Sequence, residues 1–441
     1  MMPASPLLLL LALAAADETP ADRQLRALLQ RVSRERLEET VRALVACHNR
    51  NTYSEDGKET GDRGIGAARR HLRKTLESLA PASNGRLTVA EDWYDLPPPR
   101  ARREGETLPE TLPTARRAAN VIATLRGARD TIFIVSGHYD SRASGRYDVH
   151  AFAPGANDDA SGIAIVVELA RVLADQTPEC TLLFACYSGE EQGLHGSTHH
   201  AETIEARGAF VGGMLSNDIV GNTLGDDGVR DDRTLRLFSH SEPGPDSPSR
   251  EWARFTAERI RAFVPDLRPR HVFRLDRLGR AGDHRPFDER GVPALRFTEP
   301  REAYTRQHQD VREAGGIRYG DVIEGVDFAY LERVARANLA ALWSAAQAPD
   351  PPRRVVLARD QTGTRARLRW SPSRAPDVAR YEAVWRDTAA ADWEIAHDVG
   401  PKTDVVLDAG IDDFLFGVRA VDADGWKSPV TPTWYRTPAR R

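Results

Sequence analysis

Cysteine, lysine and long apolar runs are all scarce in this chain. Three cysteines in 441 residues are too few for a disulfide framework. Cys180 and Cys186 fall on one expected strand, about 20 Å apart at the rise of an extended chain. They cannot pair with each other there and read as small buried apolar residues; Cys47 falls in a helical pattern. Lysine occurs only at Lys58, Lys74, Lys402 and Lys427, out of 61 basic residues against 65 acidic ones. No block of five like charges occurs, and the arginine excess reads as codon bias, so no nucleic-acid surface is expected. The N-terminus, MMPASPLLLLLALAAADETPAD, has an apolar run at 7–16 that is too short to span a bilayer and ends in small residues. It predicts a signal peptide over 1–16 and a secreted or periplasmic protein, although no Lys or Arg precedes the run. No later stretch is long enough to span a membrane.

What the chain does have is concentrated at 131–197: TIFIVSGHYDS, then PGANDDASGIAIVVELARVL, then TLLFACYSGEEQGLHGS. The runs at Ile132 to Val135 and Leu182 to Ala185 read as buried parallel strands, bounded by polar or Gly residues. Both end in ionisable clusters, His138 and Asp140 after the first, Glu190 and Glu191 after the second. Between them Asp158 and Asp159 precede an amphipathic helical run that ends at Leu173. Open α/β sheets bind ligands outside the carboxyl ends of their strands.

At this length more than one domain is expected. Two helices are predicted over about 21–80, from Leu25, Leu28, Leu29 and Val32 and from Leu37, Val41, Leu44 and Val45. Gly64 and Gly66 follow no strand and read as a helix entry, not a nucleotide loop. Residues 96–113 are Pro- and charge-rich and read as a surface loop. Strands are expected at 120–125, 213–218, 235–238 and 291–299, with helices at 252–264 and about 324–346. This alternation predicts an α/β fold, a mainly parallel sheet with helices on both faces, over 21–347. A linker at 348–354 leads to short alternating strands over 355–438, an all-β sandwich. That part resembles a fibronectin type III module, with Trp370, Tyr381 and Trp385 at matching places. Phe414 stands where such modules usually carry a Tyr, so the hydroxyl's bond to a loop cannot form.

Zinc takes imidazole and carboxylate ligands, and a paired site needs one carboxylate to bridge ions about 3.5–4 Å apart. The loop ends offer His138, His308, Asp158, Glu191 and Asp218, which would give each metal three protein contacts and leave room for a shared water. Asp140, two residues after His138, is placed to hold its other ring nitrogen. Glu190 is placed to act as general base. Each motif has a bland alternative: Asp158 and Asp159 could cap a helix, and Glu190 and Glu191 could be a solvated helix start. His195, His199 and His200 read as surface or packing residues.

The segments His138-Tyr-Asp140, Gly155-Ala-Asn-Asp158-Asp-Ala-Ser-Gly162, Glu190-Glu191-Gln-Gly-Leu-His-Gly-Ser197, Asp218, Gly282-Asp-His-Arg-Pro-Phe287 and His308-Gln-Asp310 occur in order. From about residue 40 to 345 the chain thereby resembles the di-zinc exopeptidases of the bacterial leucyl aminopeptidase type. The resemblance implies two zinc ions bridged by Asp158, one completed by Glu191 and His308, the other by His138 and Asp218. It implies Glu190 as general base and peptide or protein N-termini as substrate, the N-terminal peptide bond being hydrolysed by a metal-bridging water. The Ser often found before the Asp-His pair is Gly282 here. His284, Arg280 and Tyr304 are candidates for the oxyanion or substrate contact. Alternatives are a single-zinc glutaminyl cyclase, a carboxypeptidase or dipeptidase on the same metal core, and an inactive binding protein. The sandwich could bind protein or polysaccharide.

Overall fold

The computed structural model describes residues 18–54, 61–100, 108, 116–240, 246–360 and 363–433. The expected signal peptide and most of the 96–113 loop lie outside the described residues. Three helices come first, α1 (Pro20–Leu29), α2 (Arg34–Val45) and α3 (Gly64–Glu77), one more than the two expected. The Thr19 and Ser33 hydroxyls cap the first two by accepting from the Asp22 and Arg36 amides. There follow β1 (Leu87–Leu96), β2 (Arg116–Leu125), β3 (Arg129–His138), α4 (Ala160–Leu173), β4 (Cys180–Tyr187), α5 (Glu190–Gly193), α6 (His195–Ala206) and β5 (Val211–Asn217). Next come β6 (Thr234–Phe238), α7 (Pro248–Phe263), β7 (Arg268–Val272), α8 (Arg285–Asp288), β8 (Ala294–Thr298), a hairpin of β9 (Arg312–Ala314) and β10 (Ile317–Tyr319), and α9 (Phe328–Gln347). Strands β1 and β7 and the hairpin were not expected from the pattern.

The eight strands lie in the order β1-β2-β4-β3-β5-β8-β6-β7. The middle of the sheet, β4-β3-β5-β8, is parallel. On one side β1 and β2 join antiparallel; on the other, β6 pairs antiparallel to β8 and parallel to β7. The sheet is therefore mixed, and its parallel part is the part whose strands are covered on both faces. Along β3, Phe133 and Val135 enter one core and Ile134 the other; along β4, Leu182, Phe184 and Cys186 alternate in the same way with Leu183, Ala185 and Tyr187. Both faces being buried explains why these runs read as continuously apolar. Helices α3, α4, α7 and α9 contribute to the larger core, which also takes in α1 and α2, while α6 and α8 contribute to the smaller.

Helix α4 corrects one expectation. Its sequence reads as amphipathic, yet every residue except Arg171 is buried, because α2, α3 and α9 pack around it as well as the sheet. α9 starts at Phe328 rather than near 324, capped by Asp327, which accepts from the Ala329 and Tyr330 amides.

After α9 come β11 (Arg353–Arg359), β12 (Arg365–Ser371), β13 (Val378–Asp387), β14 (Ile395–Gly400), β15 (Asp404–Gly410), β16 (Phe414–Asp422) and β17 (Thr431–Pro432). They form two antiparallel sheets, β11-β12-β15 and β14-β13-β16-β17, around a core that includes Trp370, Tyr381 and Phe416. These sheets are docked on α7 and β7. Arg386 pairs with Asp246 at 2.6 Å, Trp393 donates to Glu251 at 3.0 Å, and Arg419 pairs with Glu258 at 2.8 Å. Asp392 takes both His271 and Arg261. Trp426 belongs to the larger core beneath the helices, and the Ala21 amide donates to the Asp424 carbonyl. The three cysteines are free and buried. Among the described residues no helix is long and apolar enough to cross a membrane.

Candidate metal centre

The chain leaves β3 for β4 on one side and later for β5 on the other, so the strand order reverses at the carboxyl end of β3. That is where an open sheet leaves a crevice. His138 is the last residue of β3, Asp218 follows β5, Glu190 and Glu191 open α5 just beyond β4, and Asp158 lies ahead of α4. His308 comes in from the loop after β8, with a left-handed φ of 55°, a conformation that a non-Gly residue holds only against some strain.

These side chains form two triads, His138–Asp158–Asp218 and Asp158–Glu191–His308, the ligand atoms of each lying within 4.8 Å of one another. Asp158 belongs to both. Its Oδ1 is 3.2 Å from His138 Nε2 and its Oδ2 is 3.1 Å from His308 Nε2. Glu191 Oε2 lies 3.0 Å from the same His308 nitrogen, and Asp218 Oδ1 4.0 Å from His138 Nε2. Burial pulls the His308 imidazole down, but Glu191 and Asp158 outweigh it and push the pKa up to about 9. Burial opposes the charge on His138 too, yet Asp140 and Asp158 hold it well above the usual range. A buried concentration of negative charge that holds cations this firmly is suited to a metal ion. Imidazole nitrogen with carboxylate oxygen is a donor set zinc accepts.

The remaining expected residues have more specific places. Asp159 does not enter a triad. Its Oδ1 accepts from the amides of Gly162 and Ile219, and its Oδ2 from the amide of His138, so it ties α4 to the ends of β3 and β5. Asp140 was expected to hold the second ring nitrogen of His138; its backbone carbonyl lies 3.2 Å from Nδ1 and its carboxylate oxygen 3.6 Å. The carboxylate accepts from the amides of Glu190 and Glu191 and from the Thr52 hydroxyl. Asp140 therefore positions α5 as well as the histidine. The Glu190 carboxyl makes no hydrogen bond among the described residues. Burial, with Asp218, Glu191 and Asp283 nearby, holds it well above the usual carboxylate range despite His138.

His284 is buried, with Nε2 2.7 Å from the Leu275 carbonyl. Arg280 donates to Gln307 at 2.8 Å and lies over the ring of Tyr304 at 5.5 Å; Tyr304 is 55% exposed. Arg280 and Tyr304 are thus together, whereas His284 is engaged with the Leu275 carbonyl.

Several supporting residues escaped the sequence reading. Asp321 accepts from the amides of Asn157 and Asp158 and so fixes the backbone of the shared aspartate. Gln307 donates to Asp158 Oδ2 at 3.0 Å. Arg50, fully buried, donates to the carbonyls of Leu44, Tyr139, Pro154 and Gly155. The sole signal for Gln307 was its place next to His308; nothing local marked the other two.

Fold and triads together define a metal-dependent hydrolase of α/β architecture. The model of peptidase family M28 matches residues 120–317. A probable zinc metalloprotease of Pyrenophora teres f. teres (strain 0-1) is 41% identical over 431 residues, covering 93% of this chain and 87% of its own. Another, of Leptosphaeria maculans, is 40% identical over 427 residues, covering 93% and 96%. Among solved structures, the Legionella pneumophila LapA aminopeptidase matches with a TM-score of 0.55 at 16% identity, over 74% of this chain and 75% of its own. The Bacillus subtilis zinc aminopeptidase BSAP gives 0.51 at 17%, over 72% and 95%, and a Macrostomum lignano glutaminyl cyclase 0.51 at 17%, over 76% and 95%. The chain belongs to peptidase family M28 and is a zinc-dependent peptidase.

Proposed function

We infer that this peptidase is a secreted aminopeptidase working with two zinc ions. The observation that carries the reading is Asp158, whose two oxygens face different triads at 3.2 and 3.1 Å. One carboxylate divided in this way suits a pair of ions about 3.5–4 Å apart. Asp158 would be shared, with Glu191 and His308 completing one position and His138 and Asp218 the other. Zinc would supply Lewis acidity and lower the pKa of a water.

Glu190 would take the proton of the attacking water and return it to the leaving amine. Its place at the start of α5, beside the ligand Glu191, and a carboxyl with no hydrogen bond among the described residues suit it to that proton. Arg280 and Tyr304 would form a wall of the substrate mouth. The apolar run at 7–16 supports export. The strand orders β11-β12-β15 and β14-β13-β16-β17, with Trp370 packed on Tyr381 at 5.6 Å, support a fibronectin type III-like module.

A glutaminyl cyclase with one zinc is the second reading. It is favoured by the pairing of Asp218 with Arg296 at 2.9 Å, which occupies one ligand of the second position. A peptide with N-terminal glutamine separates the two: free amino acid is expected, and ammonia release without cleavage would establish the cyclase. Glu190→Gln is expected to keep its zinc and lose roughly 10²–10⁴-fold in kcat. Near-normal turnover by the zinc-loaded variant would overturn the role of Glu190.

A further inference from the structure

Strand β8 carries an arginine between apolar neighbours. Arg296, flanked by Leu295 and Phe297, is completely buried. A guanidinium there must have carboxylate partners, and it has two. Nη1 donates to both oxygens of Asp276, at 3.0 and 2.8 Å, and Nη2 lies 2.9 Å from Asp218 Oδ1. The alternation continues outward: Arg277 pairs with Asp276 at 3.1 Å and with Glu302 at 2.8 Å, and Arg236 pairs with Glu302 at 2.8 Å. Gly282 makes room for it. A Cβ at that position would come within 3.3–3.4 Å of His284 Nδ1, Arg296 Nη1 and Asp218 Oδ2.

Among the described residues no guanidinium pairs with the other triad's own carboxylate; Arg146 donates to the Glu191 backbone carbonyl instead. Glu191 Oε1 is buried without a hydrogen-bond partner among the described residues. The two triads share Asp158 and have one imidazole each; of their two end carboxylates, Asp218 carries a guanidinium at 2.9 Å and Glu191 carries none among the described residues. A fixed guanidinium repels a dication bound to the same carboxylate, and the oxygen it holds, Asp218 Oδ1, is the one that faces His138 Nε2 at 4.0 Å.

We propose that Arg296 is a positioning residue that makes the His138–Asp218 zinc position the weaker, exchangeable one of the pair. This rests on the two-zinc reading above. The zinc-loaded full-length enzyme is equilibrated with buffers of stepped free zinc, and bound zinc is counted by elemental mass spectrometry. Wild type is expected to release one zinc at a free concentration at least about tenfold above that for the other. Arg296→Leu should narrow that gap by roughly tenfold. Asp276→Asn, which leaves the guanidinium less compensated, should widen it. A residue that merely supported β8 would weaken both positions together in both variants. Two zincs leaving wild type together would overturn the proposal alone, as would a gap unchanged in Arg296→Leu. If that variant does not fold, Asp276→Asn decides, and an unchanged or narrowed gap overturns the proposal. A single zinc at saturating metal overturns the two-zinc reading, and this proposal with it.

Discussion

Asp158 and Asp159 are adjacent and chemically identical, and their surroundings separate them. Asp158 meets imidazoles on both oxygens, whereas Asp159 meets only backbone amides. In the sequence either could cap the helix that follows, and it is the family resemblance that singles out Asp158 as the shared ligand. Glu299 had no such mark; it reads as the last residue of a strand. In the fold it is buried beside the centre, accepting from the Asn157 side chain and from Asn222. Burial pushes its pKa from 4.5 up to about 8, against those hydrogen bonds. The folded state therefore keeps this proton at pH values where the unfolded chain has lost it. The stability it contributes is present below pH 4.5 and is lost as pH rises from 4.5 to about 8. Denaturant unfolding across that range should show wild type losing stability relative to Glu299→Gln, which cannot titrate; parallel profiles would refute the shift. Asp321 and Asp158 illustrate why such residues are hard to read beforehand. They meet through a hydrogen bond spanning 163 positions, and no local pattern encodes that distance.

Elements were legible where burial imposed a period and illegible where it did not. The parallel strands β3, β4 and β5 announce themselves as apolar runs ending in polar chemistry. Strand β1 does not, because its burial is broken by exposed and half-buried positions, and it is held mainly by the β2 ladder. Helix α4 shows the converse: the pattern located it but understated how deeply it is buried. Its entry is so close to the strand ends that Gly162 has no space for a side chain. A Cβ there would lie 2.4 and 2.7 Å from the Asp159 carboxylate and 2.8 Å from the Asn217 carbonyl. Gly162→Ala should therefore cost about 1–3 kcal/mol by overpacking and disturb Asp159, the residue that ties three element ends together. Chemical denaturation measures the cost; a variant within 0.5 kcal/mol of wild type, about the scatter of ordinary surface changes, would refute the tight approach.

For the whole molecule the composition pattern separates a sandwich from an α/β unit, and in the fold the two are closely joined. Arg386, Trp393 and Arg419 reach across to Asp246, Glu251 and Glu258. Interfaces of this kind cannot be read in advance, since charged residues on β13 and β16 look like an ordinary solvated face until α7 is placed against them. Trp426 is 7% exposed and packs in the larger core. Trp426→Ala should cost roughly 3–5 kcal/mol, and because the core is shared, heating or denaturant should unfold both parts in one transition. Two well-separated transitions in calorimetry would show that the sandwich is energetically independent.

The bond from Ala21 to Asp424 and the place of Trp426 beneath the helices also set an order in time. The first helix of the fold lies against the last turn between strands, some four hundred residues later in synthesis. A ribosome must release nearly the whole polypeptide before this core can close. Until then α1 stands against a core that still lacks its last buried side chain, Trp426.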